Sequence, residues 1–378
     1  MNIAFFTNSY TPFVSGVVNS TSLFKSGLEQ AGHNVYVFAP RYSGFIDKEK
    51  HVFRFRSVSL TNKVNYPLPS PYSMRYFKLI YELKLDIIHA QHPFLLGETA
   101  SYFSKKLQIP LFYTFHTQFE QYSHYIPLNQ KLVKYLAKTS VINYIKKCDC
   151  VITPSGLIKK VLENYGVDKR IEVIPNAIEV ERFKNADPVK VRKKYNIPKD
   201  DIVFIFVGRI AAEKNLRFLM DSFKIIYQNI KNVSMMIVGD GPQLGELKKY
   251  AVELGISKKT VFTGNIDYSN IADYYCACDI FTITSVTEVK PLAILEALAG
   301  GLCIAGIDAP GASDTVTSGY DGILTKLDVN AFSHEIVKLC LNPSVLKKMK
   351  HNASLTSERY SINGVTQKLI SIYELYKR

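Results

Sequence analysis

Residues 202–242 read IVFIFVGRIAAEKNLRFLMDSFKIIYQNIKNVSMMIVGDGP. The run Ile202–Val207 is apolar throughout, rich in β-branched and aromatic residues, and too short for a helix. A helix-length amphipathic stretch follows, and a second run closes at Met235–Val238. Apolar runs without alternation, separated by helices, are strands of a parallel sheet covered on both faces. The pattern extends in both directions: Ile3–Phe6, Val35–Phe38, Ile87–Ala90, Leu111–Phe115, Val151–Thr153 and Val173–Ile174 precede it, and Val261–Thr263, Ile280–Ile283 and Cys303–Ala305 follow. The fold class is therefore α/β and doubly wound.

Two such sheets are expected. Residues 182–201 are polar and Lys-rich, with Pro188 and Pro198, and form the natural boundary. The expected domains are 1–185 and 186–360, with a C-terminal helix at 361–378. CDCVITPS (148–155) and CDIFTITS (278–285) share Cys-Asp, a strand-like run and a terminal Ser, a weak internal repeat that suits two similar halves. In the tail, Leu369, Ile370, Ile372, Tyr373 and Tyr376 mark one apolar helical face.

Composition excludes several classes. Of 378 residues 47% are hydrophobic, which excludes disorder as the main state. No apolar run approaches the roughly 18 residues of a membrane-spanning helix. Met1–Phe6 reads as a strand rather than a secretory leader. Six Cys in this length fit free thiols in a reducing cytoplasm. The pairs Cys148/Cys150 and Cys276/Cys278 are too closely spaced for structural zinc, so buried thiols are expected. The 47 Lys and Arg exceed the 33 Asp and Glu, for a net charge of +14. Residues 1–188 hold 23 cationic and 14 anionic side chains, so the excess leans to the first half. Such a balance suggests an anionic partner: nucleic acid, a phosphorylated substrate or an acidic membrane. The basic residues join no helix-turn-helix or zinc pattern, which argues against nucleic acid.

The loops after the strands carry the chemistry. GRIAAEKN (208–215) sets Arg209 and Lys214 beside a strand end. Arg209 suits bidentate phosphate contact and Lys214 adds a point charge; a surface ion-pair loop is the alternative. VGDGP (238–242) fits a tight turn at least as well as a ligand loop, because Pro242 breaks the dinucleotide spacing. TEVKPLAILEALAGG (287–301) carries Glu288 and Glu296. Pro291 favours the first turn of a helix, whose free N–H groups attract phosphate. Glu296 stands in that helix among Leu292, Ile294, Leu295, Ala297 and Leu298. A carboxylate there needs partners, either ribose hydroxyls or the protein's own donors. In SYTPFVSGVVNS (9–20), Gly16 permits close backbone approach before a helix. His116, directly after the run Leu111–Phe115, faces the crevice outside a parallel strand or is a satisfied core histidine.

Taken together, the ordered set SGVV, His116, GRxxxEK, VGDGP and Glu-x7-Glu followed by ALAGG resembles the family-4 retaining glycosyltransferases of GT-B architecture. The resemblance spans essentially the whole chain. The stretch FHTQFEQYSHYIP resembles the bacterial diacylglycerol glycosyltransferases in particular. It implies two Rossmann-like domains facing a central cleft, with the C-terminal helix returning to the first. It implies transfer of a hexose, glucose in the first instance, from a UDP-sugar to 1,2-diacylglycerol. Saccharide, phosphatidylinositol or polyprenyl acceptors are the alternative, and a sugar-nucleotide epimerase is a further GT-B relative. Neither cofactor nor metal is implied, since cationic side chains and a helix N-terminus stabilise the leaving diphosphate. By the same resemblance Arg209 and Lys214 hold that diphosphate, Glu296 the ribose and Glu288 the sugar hydroxyls. Gly16 borders the phosphate site across the cleft, His116 faces the anomeric centre, and Ile266, after FTGN (262–265), lies near the base. Leu292 belongs to the donor site. Three positions depart from the family pattern: Pro291 and Ala177 replace Gly, and Asp314 replaces Glu. Pro291 lacks an N–H, and Lys290 beside it supplies a cation instead.

The acceptor reading directs attention to KLVKYLAKTSVINYIKK (131–147). At 100° per residue Lys131, Lys134, Lys138 and Lys146 share a face with Tyr135, Ile142 and Ile145. Leu132, Val133, Leu136 and Tyr144 are expected to pack inward. A basic face with interleaved apolar side chains suits an anionic membrane, as against a merely solvated helix. The segment 74–84 is a second, less focused candidate, and Tyr122, His124 and Tyr125 are candidates to border an acceptor channel. The expected location is cytoplasmic, peripheral on the inner face of the cell membrane.

Overall fold

A computed structural model describes residues 1–13, 15–47, 49–61, 64–116, 130–286, 288 and 291–377. The side chains of 59–61, 64–66, 130, 131, 133 and 134 fall outside that description, as do Lys290, Tyr122, His124 and Tyr125. The chain divides into two compact units, Met1–Ala177 with Ile362–Arg378, and Ile178–Ser361. The expected boundaries stood at 185 and 360. Ile178 belongs to the second unit because its N–H donates to the carbonyl of Tyr360, 2.8 Å away.

The first unit holds strands β1 (Asn2–Phe6), β2 (Asn34–Pro40), β3 (Val52–Phe55), β4 (Ser57–Thr61), β5 (Val64–Pro69), β6 (Ile87–Ala90), β7 (Leu111–Thr114), β8 (Cys150–Thr153) and β9 (Ile171–Val173). Seven of them form one sheet in the order β3-β2-β1-β6-β7-β8-β9, while β4 and β5 pair as an antiparallel hairpin. The second unit holds β10 (Ile202–Val207), β11 (Val233–Val238), β12 (Thr260–Gly264), β13 (Ile280–Ile283), β14 (Cys303–Ile307) and β15 (Gly322–Thr325). Their order is β12-β11-β10-β13-β14-β15, and every neighbouring pair is parallel. Each unit is thus a doubly wound sheet, and every strand expected from an apolar run is present.

The strands without such a run are β3, β4, β5 and β15. β3 is an edge strand, and its Arg54 explains its broken pattern. The guanidinium Nε donates to Asp47 at 2.9 Å and Nη1 to the Pro40 carbonyl at 3.0 Å, so a cation sits at a strand position without cost in unpaired charge. β15 is likewise an edge strand and opens on Gly322.

The C-terminal helix Ile362–Tyr376 completes the first unit's core. Val365, Leu369 and Tyr373 pack with Ile3, Phe5, Val35, Ile87, Phe112 and Ile152. It crosses the helix Gly16–Gln30 at Gly27, where an added Cβ would stand 2.1 Å from Thr366 Oγ1 and 2.8 Å from Ile362 Cγ2. Glycine is required there by proximity. We therefore expect Gly27→Val to destabilise the first unit by about 1–3 kcal/mol, as overpacking does. Thermal unfolding checks the loss, and faster hydrogen exchange across Ile362–Tyr376 locates it.

Candidate active site

Both sheets reverse direction at an internal strand. In the first, β1 lies between β2 and β6; in the second, β10 lies between β11 and β13. Loops leaving the carboxyl ends of strands at such a switch point diverge and leave a crevice, which is where open α/β sheets bind ligands. In the second unit those are the loops after β10 and β13, and they carry Arg209, Lys214 and Glu288.

Their local geometry is fixed by backbone contacts. Gly208 N–H donates to the Val238 carbonyl and Ile210 N–H to the Asp240 carbonyl, at 3.0 and 2.9 Å. An added Cβ on Gly241 would stand 2.2 Å from the Ile210 carbonyl oxygen. The glycines of VGDGP thus let two loops touch, which is the tight-turn reading of that segment. Asn215, in the left-handed region at φ 54°, ends the turn Ala212–Lys214 and starts the helix Leu216–Asn229. Thr284 Oγ1, just past β13, donates to the Lys214 carbonyl at 2.9 Å. Lys214 Nζ in turn forms an ion pair with Glu288, so two residues expected at the site meet across the switch point. Arg209 is exposed and has no ion-pair partner among the described residues.

The helix carrying Glu296 runs Leu292–Ala299, with Pro291 as its N-cap rather than in its first turn. Leu292 is partly buried against the core. Glu296 is buried, and Tyr275 donates its hydroxyl to Oε2 at 2.8 Å. Burial raises the carboxyl's pKa, while the Tyr275 and Tyr268 hydroxyl bonds and the Arg182 charge oppose the shift. Arg182 also lies 4.3 Å from the centre of the Tyr268 ring. The carboxylate therefore has donors from its own unit. Ile266, six residues past the start of β12, lines a cavity of about 200 Å³ with Lys190, Lys194, Asn265 and Tyr274.

In the first unit the loops after β1, β6 and β7 carry the candidates. Ser15 caps the helix Gly16–Gln30 by accepting from Val18 N–H at 3.3 Å, which sets Gly16 at its exposed first position. His116 lies two residues past β7, with Nε2 2.7 Å from Gln91 Oε1. His92 Nδ1 accepts from Asn8 N–H at 3.1 Å. Within the sheet, His89 is enclosed between the Tyr373 hydroxyl and Thr114 Oγ1, at 2.6 and 2.7 Å. Burial holds all three imidazoles neutral, with His89 and His116 lowered to about 3 and His92 to about 4.

The basic helix spans Gln130–Ile145, and its faces differ from expectation. Ile145 is 1% exposed and so is not on the basic surface, whereas Leu132 and Leu136 are 55% and 53% exposed rather than inward. The cause is the anchoring of its carboxyl half. Val141, Tyr144, Ile145 and Cys148 form the buried stripe, and the Tyr144 hydroxyl donates to the Gly97 carbonyl at 2.9 Å. Traced toward the N-terminus, that stripe runs through half-buried Ala137 and Lys138 and leaves Leu132, Tyr135 and Leu136 outside it. Lys146 is exposed, and Lys138 Nζ sits 3.9 Å from the centre of the Tyr165 ring. The side chains of Lys131 and Lys134 lie outside the described residues.

The sequence reading did not contain Gln91, Tyr268 or Tyr275. Gln91 follows β6 as His116 follows β7, so the strand-end argument applied to HAQHPF (89–94) finds it. The tyrosines carry no such signal, because their contact with Glu296 joins separate helical segments.

Neutral burial has a consequence for acid stability. His89 has a folded pKa of about 3 against an ordinary 6.5. Between those values the unfolded chain binds a proton that the folded chain refuses. Stability that is full above pH 6.5 is therefore lost as the pH falls toward 3. The slope from His89 alone is at most about 1.4 kcal/mol per pH unit. Urea midpoints from pH 7 to 4 should fall for the natural chain and fall less steeply for His89→Gln; parallel curves would contradict this.

Residues 14–182 match the Glycosyltransferase Family 4 family, and residues 189–356 match Glycosyl transferases group 1. The alpha-monoglucosyldiacylglycerol synthase of Streptococcus pneumoniae is 31% identical over 337 residues, which cover 86% of this chain and 75% of that one. The protein of the same name from Acholeplasma laidlawii is 29% identical over 385 residues, covering 96% and 94%. Among solved structures, Anabaena HepE in complex with UDP superposes with a TM-score of 0.78 at 20% identity, over 99% of this chain and 100% of its own. With two doubly wound parallel sheets and matches along nearly its whole length, this chain belongs to the family-4 glycosyltransferases and is a retaining hexosyltransferase of GT-B fold.

Proposed function

We propose that the protein transfers glucose from UDP-glucose to 1,2-diacylglycerol, working peripherally on the inner face of the cell membrane in glycolipid synthesis. The observation that carries this reading is the 31% identity with the Streptococcus pneumoniae alpha-monoglucosyldiacylglycerol synthase over 86% of the chain. The net charge of +14 and its lean toward residues 1–188 are in keeping with an anionic surface as well as an anionic donor.

In this reading Arg209 and Lys214 bind the donor diphosphate, with Lys290 as a further cation and Leu292 beside it. Exposed Arg209 is available to an incoming anion, while Lys214 exchanges its bond to Glu288 for a phosphate oxygen. Glu288, once released, accepts from hydroxyls of the glucose. Glu296 accepts from the ribose, Ile266 lies by the base, and Gly16 lets backbone approach a phosphate. His116 orients the sugar at its anomeric carbon. The acceptor oxygen forms a bond to that carbon from the side on which the carbon–phosphate bond breaks. The departing phosphate oxygen takes the acceptor's proton, so configuration is retained without a covalent enzyme intermediate. Fixed cationic side chains stabilise the charge that develops on the diphosphate.

The acceptor must be drawn from a bilayer. The exposed Leu132, Tyr135 and Leu136 of that helix, with exposed Lys146 just past its end, combine apolar insertion with attraction to acidic headgroups.

Incubation with diacylglycerol in anionic vesicles and a panel of UDP- and GDP-sugars should yield one α-linked monoglucosyl lipid, from UDP-glucose. Transfer from a GDP-sugar, or to a saccharide or inositol lipid only, would replace this reading. His116→Ala should lower kcat by about 100-fold or more with the fold intact. Arg209→Ala should raise the donor KM about tenfold or more, the effect of losing a bond to a charged group. Vesicle co-sedimentation should be tighter on anionic than on neutral lipid and should weaken with salt; equal binding to both would remove the electrostatic component.

A further inference from the structure

Gln91 and His116 occupy equivalent places on adjacent strands. β6 and β7 pair in parallel with Ala90 opposite Tyr113, so the chain just past β6 lies beside the chain just past β7. Gln91 is held there by its backbone, whose N–H donates to the Phe6 carbonyl at 2.8 Å. Phe115, immediately before His116, is held by a 2.8 Å bond from its N–H to the Ile152 carbonyl. Two rigid strand ends thus present the amide of Gln91 to the imidazole of His116, with Oε1 2.7 Å from Nε2. Gln91 is 3% exposed, so water does not compete for that oxygen.

We infer that Gln91 is a positioning residue for His116, fixing the imidazole as the neutral tautomer protonated at Nε2 and leaving Nδ1 as the acceptor for a hydroxyl of the transferred sugar. This rests on the reading of His116 as a sugar-contacting residue. A carbonyl oxygen only accepts, so the ring nitrogen facing it must carry the hydrogen. In the opposite tautomer a lone pair would face a lone pair in a partly buried contact. Among the described residues none bonds Nδ1, so within that set the ring keeps a free acceptor. An amide suits this place better than a carboxylate. It orients the ring as a carboxylate would, but adds no charge that would draw a second proton onto Nδ1 and abolish the acceptor. Among the described residues the titratable side chains acting on His116 are His92 and His89, and burial keeps both neutral. The local field therefore leaves the tautomer to Gln91.

The test uses the full chain labelled with ¹⁵N-histidine, with the His116 signals assigned by their loss in His116→Ala. Two-bond ¹H–¹⁵N spectra at pH 7 should show Nε2 protonated and Nδ1 unprotonated. Gln91→Leu should mix the tautomers and lower kcat about tenfold or more, with the KM for UDP-glucose changed less than about twofold, in assays with diacylglycerol vesicles. Gln91→Glu keeps the shape and the acceptor, which guards against a Leu variant that fails to fold. It should retain the Nε2 proton, gain one at Nδ1, and lose kcat. A natural chain protonated at Nδ1, or a folded Gln91→Leu variant with unchanged tautomer and kcat, would overturn the assignment. Near-normal turnover of His116→Ala, with the spectra as expected, would instead remove His116 from the reaction and the sugar contact with it.

Discussion

A parallel strand covered on both faces admits a polar side chain away from its ends only where a partner satisfies it, as at His89 and Thr282. In the second unit the central strands are mostly apolar: β10 and β13 carry Val203, Phe204, Ile205, Ile280 and Phe281 within 1% exposure. Polar groups are displaced to the carboxyl ends, and strand order decides which of those ends lie next to a crevice. The reversal around β10 brings Lys214 and Glu288 together from loops more than seventy residues apart. The reversal around β1 likewise gathers Asn8, Gln91 and His92, with His116 one strand further on. The candidate chemistry is a consequence of sheet topology before it is a consequence of any single side chain.

Within that frame, the buried and half-buried polar groups of the candidate sites are matched by partners from their own unit. Glu296 rests on Tyr275, Lys214 on Glu288, and His89 between Tyr373 and Thr114. Such pairing removes most of the cost of burying a donor, an acceptor or a charge. It also fixes geometry and charge: burial keeps His89, His92 and His116 neutral, while Glu296 is anchored by the Tyr275 hydroxyl that donates to it. The Tyr373 contact has a second role. It ties the last helix of the chain to the sheet strand that leads into Gln91, so the carboxyl terminus of the chain supports the amino-terminal unit.

The central strands were legible because an uninterrupted apolar run has one economical explanation. The edge strands β3 and β15 were not. Arg54 within β3 and Gly322 at the head of β15 break the run, and their place becomes clear only beside Asp47 and β14. The basic helix shows a different limit. Its periodicity established that it had two faces, but its inward face was set by Tyr144 reaching Gly97, forty-seven residues earlier in the chain. Glu296 illustrates a third case. The cost of a carboxylate among leucines was evident from the sequence, whereas the tyrosine that offsets it was not.

By itself, then, the sequence determined the α/β class, the two parallel sheets, the strand-end loops and the ordered residues that resemble the family, because these rest on local runs and fixed spacing. Tertiary structure alone decided which loops share a switch point, which tyrosines hold Glu296, that Lys214 pairs with Glu288, and that Gln91 faces His116. Those are pairings between distant segments, selected by strand order and by the need to satisfy buried polar atoms, and no local pattern along the chain records them.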